Sequence, residues 1–260
     1  MKALVVVDPQ NDFCPGGALA VAEGDAIIPM INAMMPAFDV VVLTQDWHPA
    51  GHSSFASSHS ADPFSVTEMP YGPQVLWPDH CIIGSQGAEF HPALNTDAAD
   101  MVVRKGSNRG MDSYSAFFEN DHTTRTGLAG FLRDRGCLDL TMVGLATDYC
   151  VAWSALDGVR EGFAVEVHLP ACRAIDLDGS LDQAIAGMRD SGISLNGGSS
   201  AQLDQLMALP CQVISQKGDM VRADFATPAD DAGTMPNPAV NMHGIGLRPQ
   251  VLSCLKIINR

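Results

Sequence analysis

Met142-Val143-Gly144-Leu145-Ala146-Thr147-Asp148-Tyr149-Cys150 is the stretch whose reading decides the fold of this chain. Leu138 to Val143 is mostly apolar, Gly144 interrupts it, and a helical pattern runs from Thr147 to Glu161. That order predicts a strand, a tight turn and a helix N-terminus, with a cysteine in the first helical turn. The first N–H groups of a helix lack intrahelical partners, and the aligned peptide dipoles add about half a positive charge there. Such a field favours a thiolate, so the sequence predicts a lowered pKa for Cys150 and a nucleophilic role. A lone cysteine is as readily a buried packing residue. The argument therefore depends on what else the fold brings beside it.

Ala3 to Val7 is an unbroken apolar, β-branched run, the pattern of a strand covered on both faces, and Asp8 stands where it ends. Val40 to Thr44 repeats the pattern, and Met101 to Arg104 reads as a third strand, followed by Lys105-Gly106. Phe163 to Leu169 and Ile193 to Leu195 follow the central stretch as further strands. Helices are expected over Gly24–Met35, Thr126–Gly136 and Ser180–Arg189, with Gly136 as a C-terminal cap. Strands alternating with helices predict an α/β fold, a doubly wound and mostly parallel sheet with helices on both faces. Ligands of such sheets bind outside the carboxyl ends of the strands. Asp8, Lys105 and Cys150 all fall at that end, which favours the catalytic reading of the cysteine.

Gln45-Asp46-Trp47-His48 continues the second strand, and residues two apart in an extended segment point to one face. Ser53 to Pro78 reads as an irregular, Ser- and Pro-rich loop, long enough to imply a function. It delivers Trp77-Pro78-Asp79-His80-Cys81. Asp46, His48 and His80 together make a two-histidine, one-carboxylate set that leaves coordination positions open. His52 is a further candidate ligand, ahead of His59 and Cys81. Asp112 to Phe118 brings aromatic surface toward the same crevice.

The chain has 260 residues, 46% hydrophobic and 17% charged, and a formal net charge of −15. That charge argues against nucleic acid or an anionic membrane as a partner. No apolar run reaches the roughly 18 residues needed to span a bilayer. Seven cysteines without framework spacing suggest reduced thiols in a cytoplasmic protein. Residues 1–195 read as one domain. Residues 196–260 begin with Asn196-Gly197-Gly198-Ser199-Ser200 and read as an irregular or partly disordered C-terminal extension.

Taken together, these motifs resemble the nicotinamidases of the isochorismatase-like cysteine hydrolase family. The resemblance rests on Val7-Asp8-Pro9-Gln10-Asn11-Asp12-Phe13, Thr44-Gln45-Asp46-Trp47-His48-Pro49, Trp77-Pro78-Asp79-His80-Cys81, Lys105-Gly106 and Gly144 to Val151. It runs from Met1 to about Leu195, and the residues beyond depart from the family pattern. It implies a catalytic triad of Asp8, Lys105 and Cys150, and an oxyanion hole from the N–H groups of Ala146 and Cys150 beside a cis Leu145–Ala146 peptide. It also implies one divalent ion on Asp46, His48 and His80, zinc first and iron or manganese as alternatives. Phe13, Trp77 and Tyr114 would wall a flat ring. The implied reaction is hydrolysis of nicotinamide to nicotinate and ammonia in NAD salvage, by a protein that could form homo-oligomers. Two other readings stand beside it. One is a hydrolase of the same family acting on a ureido, carbamoyl or isochorismate-like substrate. The other is a non-enzymatic thiol or metal-binding protein.

Overall fold

The computed structural model describes residues 1–197 and the backbone of 211–217 and 220–225. In chain order the first elements are β1 (Lys2–Val7), α1 (Ile28–Met34), β2 (Val40–Asp46), β3 (Val66–Met69), β4 (Gly72–Val75) and β5 (Met101–Lys105). They are followed by α2 (Leu128–Asp134), β6 (Asp139–Leu145), α3 (Ala152–Arg160), β7 (Ala164–Arg173), α4 (Ser180–Asp190) and β8 (Ser194–Asn196). The main sheet has six strands in the order β5-β2-β1-β6-β7-β8, and every pairing in it is parallel. The chain first builds outward from β1 through β2 to β5, then crosses to the other side and builds outward from β6. The switch point therefore lies between β1 and β6, where such sheets open a ligand crevice.

The sequence explains why β1 and β2 are central. All of β2 is buried, as is β1 after Lys2; their apolar runs suit that position, and the polar residues that end β2, Thr44, Gln45 and Asp46, are buried with hydrogen-bond partners. Parallel register then aligns the strand ends. Val7 pairs with Gly144, so Asp8 leaves β1 beside the turn that follows β6. Asp46 pairs directly with Lys105, the last residues of β2 and β5. Gly144 makes the close approach possible: its φ is +119°, and a Cβ there would lie 2.1 Å from the Val7 carbonyl oxygen.

Several expected boundaries move. The helix expected over Thr147–Glu161 begins as a π-helical turn, Thr147–Val151, and becomes α-helical only at Ala152. The one expected over Gly24–Met35 is a 3-10 turn, Gly24–Ile27, leading into α1 with Pro29 in its first turn. The stretch Ser53–Pro78 is not wholly irregular: it holds the 3-10 turn Ala56–His59 and an antiparallel hairpin of β3 and β4. Its four-residue strands are largely uncovered, with Val66 65% exposed, so no apolar alternation marked them.

The chain divides into Met1–Gly198 and Ser199–Arg260. In the second unit the described backbone is one antiparallel pair, β9 (Cys211–Lys217) and β10 (Met220–Phe225). The rest of the expectation for 196–260 lies outside the described residues. Among the described residues, no helix is long and apolar enough to cross a membrane.

Candidate active site

Three strand ends and one turn meet at the switch point. Asp8 is fully buried, with a left-handed φ of +47°. Thr44 on the neighbouring strand donates its hydroxyl to Asp8 Oδ1 at 2.6 Å, and Asp8 Oδ2 lies 2.8 Å from Lys105 Nζ. Lys105, 2% exposed, also donates to Asp46 Oδ1 at 2.5 Å, to the Ser113 carbonyl at 2.9 Å and toward Cys150 Sγ at 3.4 Å. An ammonium has three N–H bonds for these four neighbours. The sulfur, at the longest distance, is the neighbour it holds least.

Electrostatics follow from this packing. Burial alone would drive the Lys105 pKa down, but the Asp46 and Asp8 carboxylates outweigh it and hold the ammonium charged. Burial pushes the Asp8 carboxyl above its ordinary range, against the pull of Lys105. The Cys150 thiol is also pushed well above its ordinary value by burial, with Lys105 opposing and Asp8 and Asp46 adding to the rise. This corrects the expectation of a lowered Cys150 pKa. A helix-terminus field acts on exposed thiols, whereas here the thiol is desolvated beside two carboxylates. Burial thus favours the neutral thiol, whose proton needs an acceptor before the sulfur can attack. Asp8, with its raised proton affinity, is placed to be one.

Asp46 divides its two oxygens. Oδ1 faces Lys105, while Oδ2 lies 3.7 Å from His48 Nε2 and 3.8 Å from His80 Nε2. His48 donates Nδ1–H to the Gly106 carbonyl at 2.9 Å, and His80 donates Nδ1–H to the Pro78 carbonyl at 2.8 Å. A carbonyl only accepts, so each Nδ1 donates and each Nε2 is the ring atom turned toward Asp46. Ligand bonds of about 2.1 Å set neighbouring ligand atoms roughly 3–3.6 Å apart, close to the spacing seen. The donor set thus fits a divalent ion, and second-shell carbonyls already fix the tautomers. Main-chain pairing supports it. His48 N–H donates to Cys81 O at 3.0 Å and Ile83 N–H to His48 O at 2.9 Å, laying the His80 segment beside His48. Gln10 clamps Asp46 from both sides of its peptide.

His52 packs against His48, with ring centroids 4.3 Å apart, and His48, His52 and Asp112 form a second buried group whose ligand atoms could hold a metal ion. His52 Nε2 lies 2.9 and 3.1 Å from the carbonyls of Asn108 and Met111, and its Nδ1 accepts from Ser54. His59 is exposed on the Ser53 carbonyl, and burial pushes the Cys81 thiol well up.

A small cavity joins the two halves. Asp46, His80, Ala146 and Cys150 line it together with Phe13, Trp77 and Tyr114. The Tyr114 hydroxyl accepts from Trp77 Nε1 at 3.1 Å and from the buried Gln74 of β4 at 2.8 Å, so the hairpin locks the aromatic wall. The Leu145–Ala146 peptide is cis. Leu19, Asp112, Tyr149 and Ile175 complete the lining and were missed in the sequence. Tyr149 could have been found, since it precedes Cys150 in the same turn. Ile175 carried no signal.

Comparison with known proteins agrees with this geometry. The Isochorismatase domain pattern matches residues 2–196. A nicotinamidase of Acinetobacter baylyi is 54% identical over 192 residues, covering 74% of this chain and 90% of that protein. Among solved structures, the nicotinamidase/pyrazinamidase of Acinetobacter baumanii superimposes with a TM-score of 0.74 at 55% identity, over 75% of this chain and 94% of that one. A pyrazinamidase of Pyrococcus horikoshii in complex with zinc does so with a TM-score of 0.61 at 35% identity, over 75% of this chain and 97% of that one. The buried Asp-Lys-Cys cluster at the switch point and the matched span lead to one statement: this chain belongs to the isochorismatase family.

Proposed function

We propose that this chain hydrolyses nicotinamide to nicotinate and ammonia through an acyl-enzyme on Cys150, with Asp46, His48 and His80 holding one divalent ion. Zinc is the first choice, with iron and manganese as alternatives. The observation that carries this reading is one cavity lined by Cys150, by Asp46 and His80, and by the rings of Phe13, Trp77, Tyr114 and Tyr149. An ion held there supplies a Lewis acid for the ring nitrogen of a pyridine.

The protein's own residues account for the chemistry. Phe13, Trp77 and Tyr114 present apolar surface to a flat ring and exclude water. Asp8 takes the thiol proton as the Cys150 sulfur bonds to the carboxamide carbon. Lys105 keeps Asp8 and the developing thiolate in one ion-paired cluster. The N–H groups of Ala146 and Cys150 receive the charge that develops on the carboxamide oxygen; losing one such donor typically costs about 100–1000-fold. Asp8 then returns its proton to the departing nitrogen, the C–N bond breaks and ammonia leaves. Water adds to the thioester with Asp8 again as base, releasing nicotinate and restoring the thiol. Five described cysteines are free, in keeping with a reducing cytoplasm and a place in NAD salvage.

The test is ammonia release from nicotinamide by the purified chain, before and after chelation and after return of a divalent ion. The reading predicts that activity falls with the chelator and recovers with the ion. Activity that ignores the chelator would remove the ion from the reaction. Absence of ammonia under every ion tried would overturn the substrate.

A further inference from the structure

Asp148 lies two residues before the nucleophile, in the π-helical turn, and is 6% exposed. Neither the triad nor the ion site uses it. Its carboxylate accepts three hydrogen bonds, two from the segment between β7 and α4 and one from Ser180, the first residue of α4. Ile175 N–H donates to Oδ1 at 3.1 Å, Asp176 N–H to Oδ2 at 2.8 Å and the Ser180 hydroxyl to Oδ2 at 2.5 Å. That segment has little local structure of its own: Asp176 and Asp178 hold left-handed φ values of +55° and +51°. Ile175 nevertheless reaches the cavity, where it lines the wall together with Tyr149 and Cys150.

We propose that Asp148 is a positioning residue for the substrate: it ties the Ile175 wall of the cavity to the turn that carries Cys150. A carboxylate suits the task because hydrogen bonds to a charged acceptor are about twice as strong as neutral ones, and one group here gathers three. The thiol and its proton acceptor are held separately, by Lys105 and Thr44. Loss of the tether therefore loosens the fit of the ring while leaving the bond-making groups in place. The inference rests on the proposed nicotinamide reaction, and one arm of its test does not depend on that reaction.

Asp148→Asn keeps the shape but turns part of the acceptor into a donor facing the Asp176 N–H. In the full-length chain, KM for nicotinamide should rise about 10-fold or more while kcat stays within about 3-fold, the split expected when binding contacts rather than transition-state contacts are lost. Amide hydrogen exchange at Ile175 and Asp176 should accelerate at least about 10-fold in the same variant, because those two N–H groups donate to the Asp148 carboxylate. Ile175→Ala removes the wall without touching the tether, so it should raise KM with exchange at 176–180 unchanged. If Asp148→Asn does not fold, Ser180→Ala removes one of the three bonds and should show the same KM-led split at about 3-fold. Wild-type KM together with wild-type exchange in Asp148→Asn would overturn the tether. A collapse of kcat with unchanged KM and exchange would overturn it as well, placing Asp148 in service of the thiol alone. Should the wild-type chain fail to hydrolyse nicotinamide, the proposed function falls, and the exchange measurement still decides the tether.

Discussion

The strand ends and the loops reach the same cavity by different physics. At the strand ends, Asp8, Asp46 and Lys105 are set by main-chain register, since Val7 pairs with Gly144 and Asp46 with Lys105. Their side chains form a dry ionic cluster in which two carboxylates share one ammonium. On the loop side, His80, Trp77, Tyr114 and Ile175 come from segments with little regular structure. They are placed one hydrogen bond at a time, by Pro78, Gln74 and Asp148. In the proposed reaction the chemistry is assigned to the sheet ends and recognition of the ring to parts whose individual supports can be removed. Damage to the sheet side should abolish the reaction, whereas damage to the loop side should weaken binding.

The largest break in that comparison is Lys105→Met. It leaves Asp8 and Asp46 buried near one another without their shared cation. Stability should drop by about 3–5 kcal/mol, as for other broken buried pairs, read by urea unfolding. Turnover should fall by about 1000-fold in whatever remains folded, read as ammonia release. A mild effect on both would mean that the cluster is not the centre of the reaction.

An intermediate effect is expected where sheet and loop meet. Gly106 has φ +68°, and a Cβ there would lie 2.4 Å from His48 Cε1. Gly106→Ala should therefore shift the His48 ring and its Nδ1 partner together. Affinity for the divalent ion should fall by about 10–100-fold, measured by ion titration, with much of kcat recovered at saturating ion. Unaltered ion affinity would take His48 out of the ligand set.

The smallest effect sharpens the loop side. Tyr114→Phe deprives Trp77 Nε1 and Gln74 Nε2 of a buried acceptor, at a cost of about 1–3 kcal/mol in stability. KM should rise only about 3–10-fold with kcat nearly kept. A loss of kcat instead would assign the hydroxyl a part in the chemistry.

The same division governs what could be read from the amino-acid order. A strand covered on both faces must be largely apolar, so Ala3–Val7 and Val40–Leu43 announced the centre of the sheet, and the polar residues where they stop announced the crevice; Met101–Arg104 was legible as a strand, but it lies at the sheet edge with Val102 45% exposed. Burial was legible in that way, but its effect on titration was not. The helix-terminus argument gave Cys150 a lowered pKa, and the desolvation that reverses it depends on Asp8 and Asp46 arriving from other strands. The π-helical start of the helix was equally invisible, because a period of 3.6 cannot show where one turn widens. On the loop side, His80 and Trp77 were found through their motif. Gln74, Asp112 and Ile175 were not, because each acts through partners distant in the chain. His52 was a candidate by spacing, and the structure sets it beside His48 and Asp112 as well as against the carbonyls of Asn108 and Met111.

The most direct test of the central claim is acid-quenched turnover of ring-labelled nicotinamide by the wild-type chain and by Cys150→Ala, each loaded with the same ion. The account predicts covalent label on the peptide containing Cys150 in the wild type. In Cys150→Ala it predicts no label and no ammonia above background, with ion content equal to wild type. Ammonia release by Cys150→Ala at near wild-type rate, or label retained elsewhere in that variant, would contradict it.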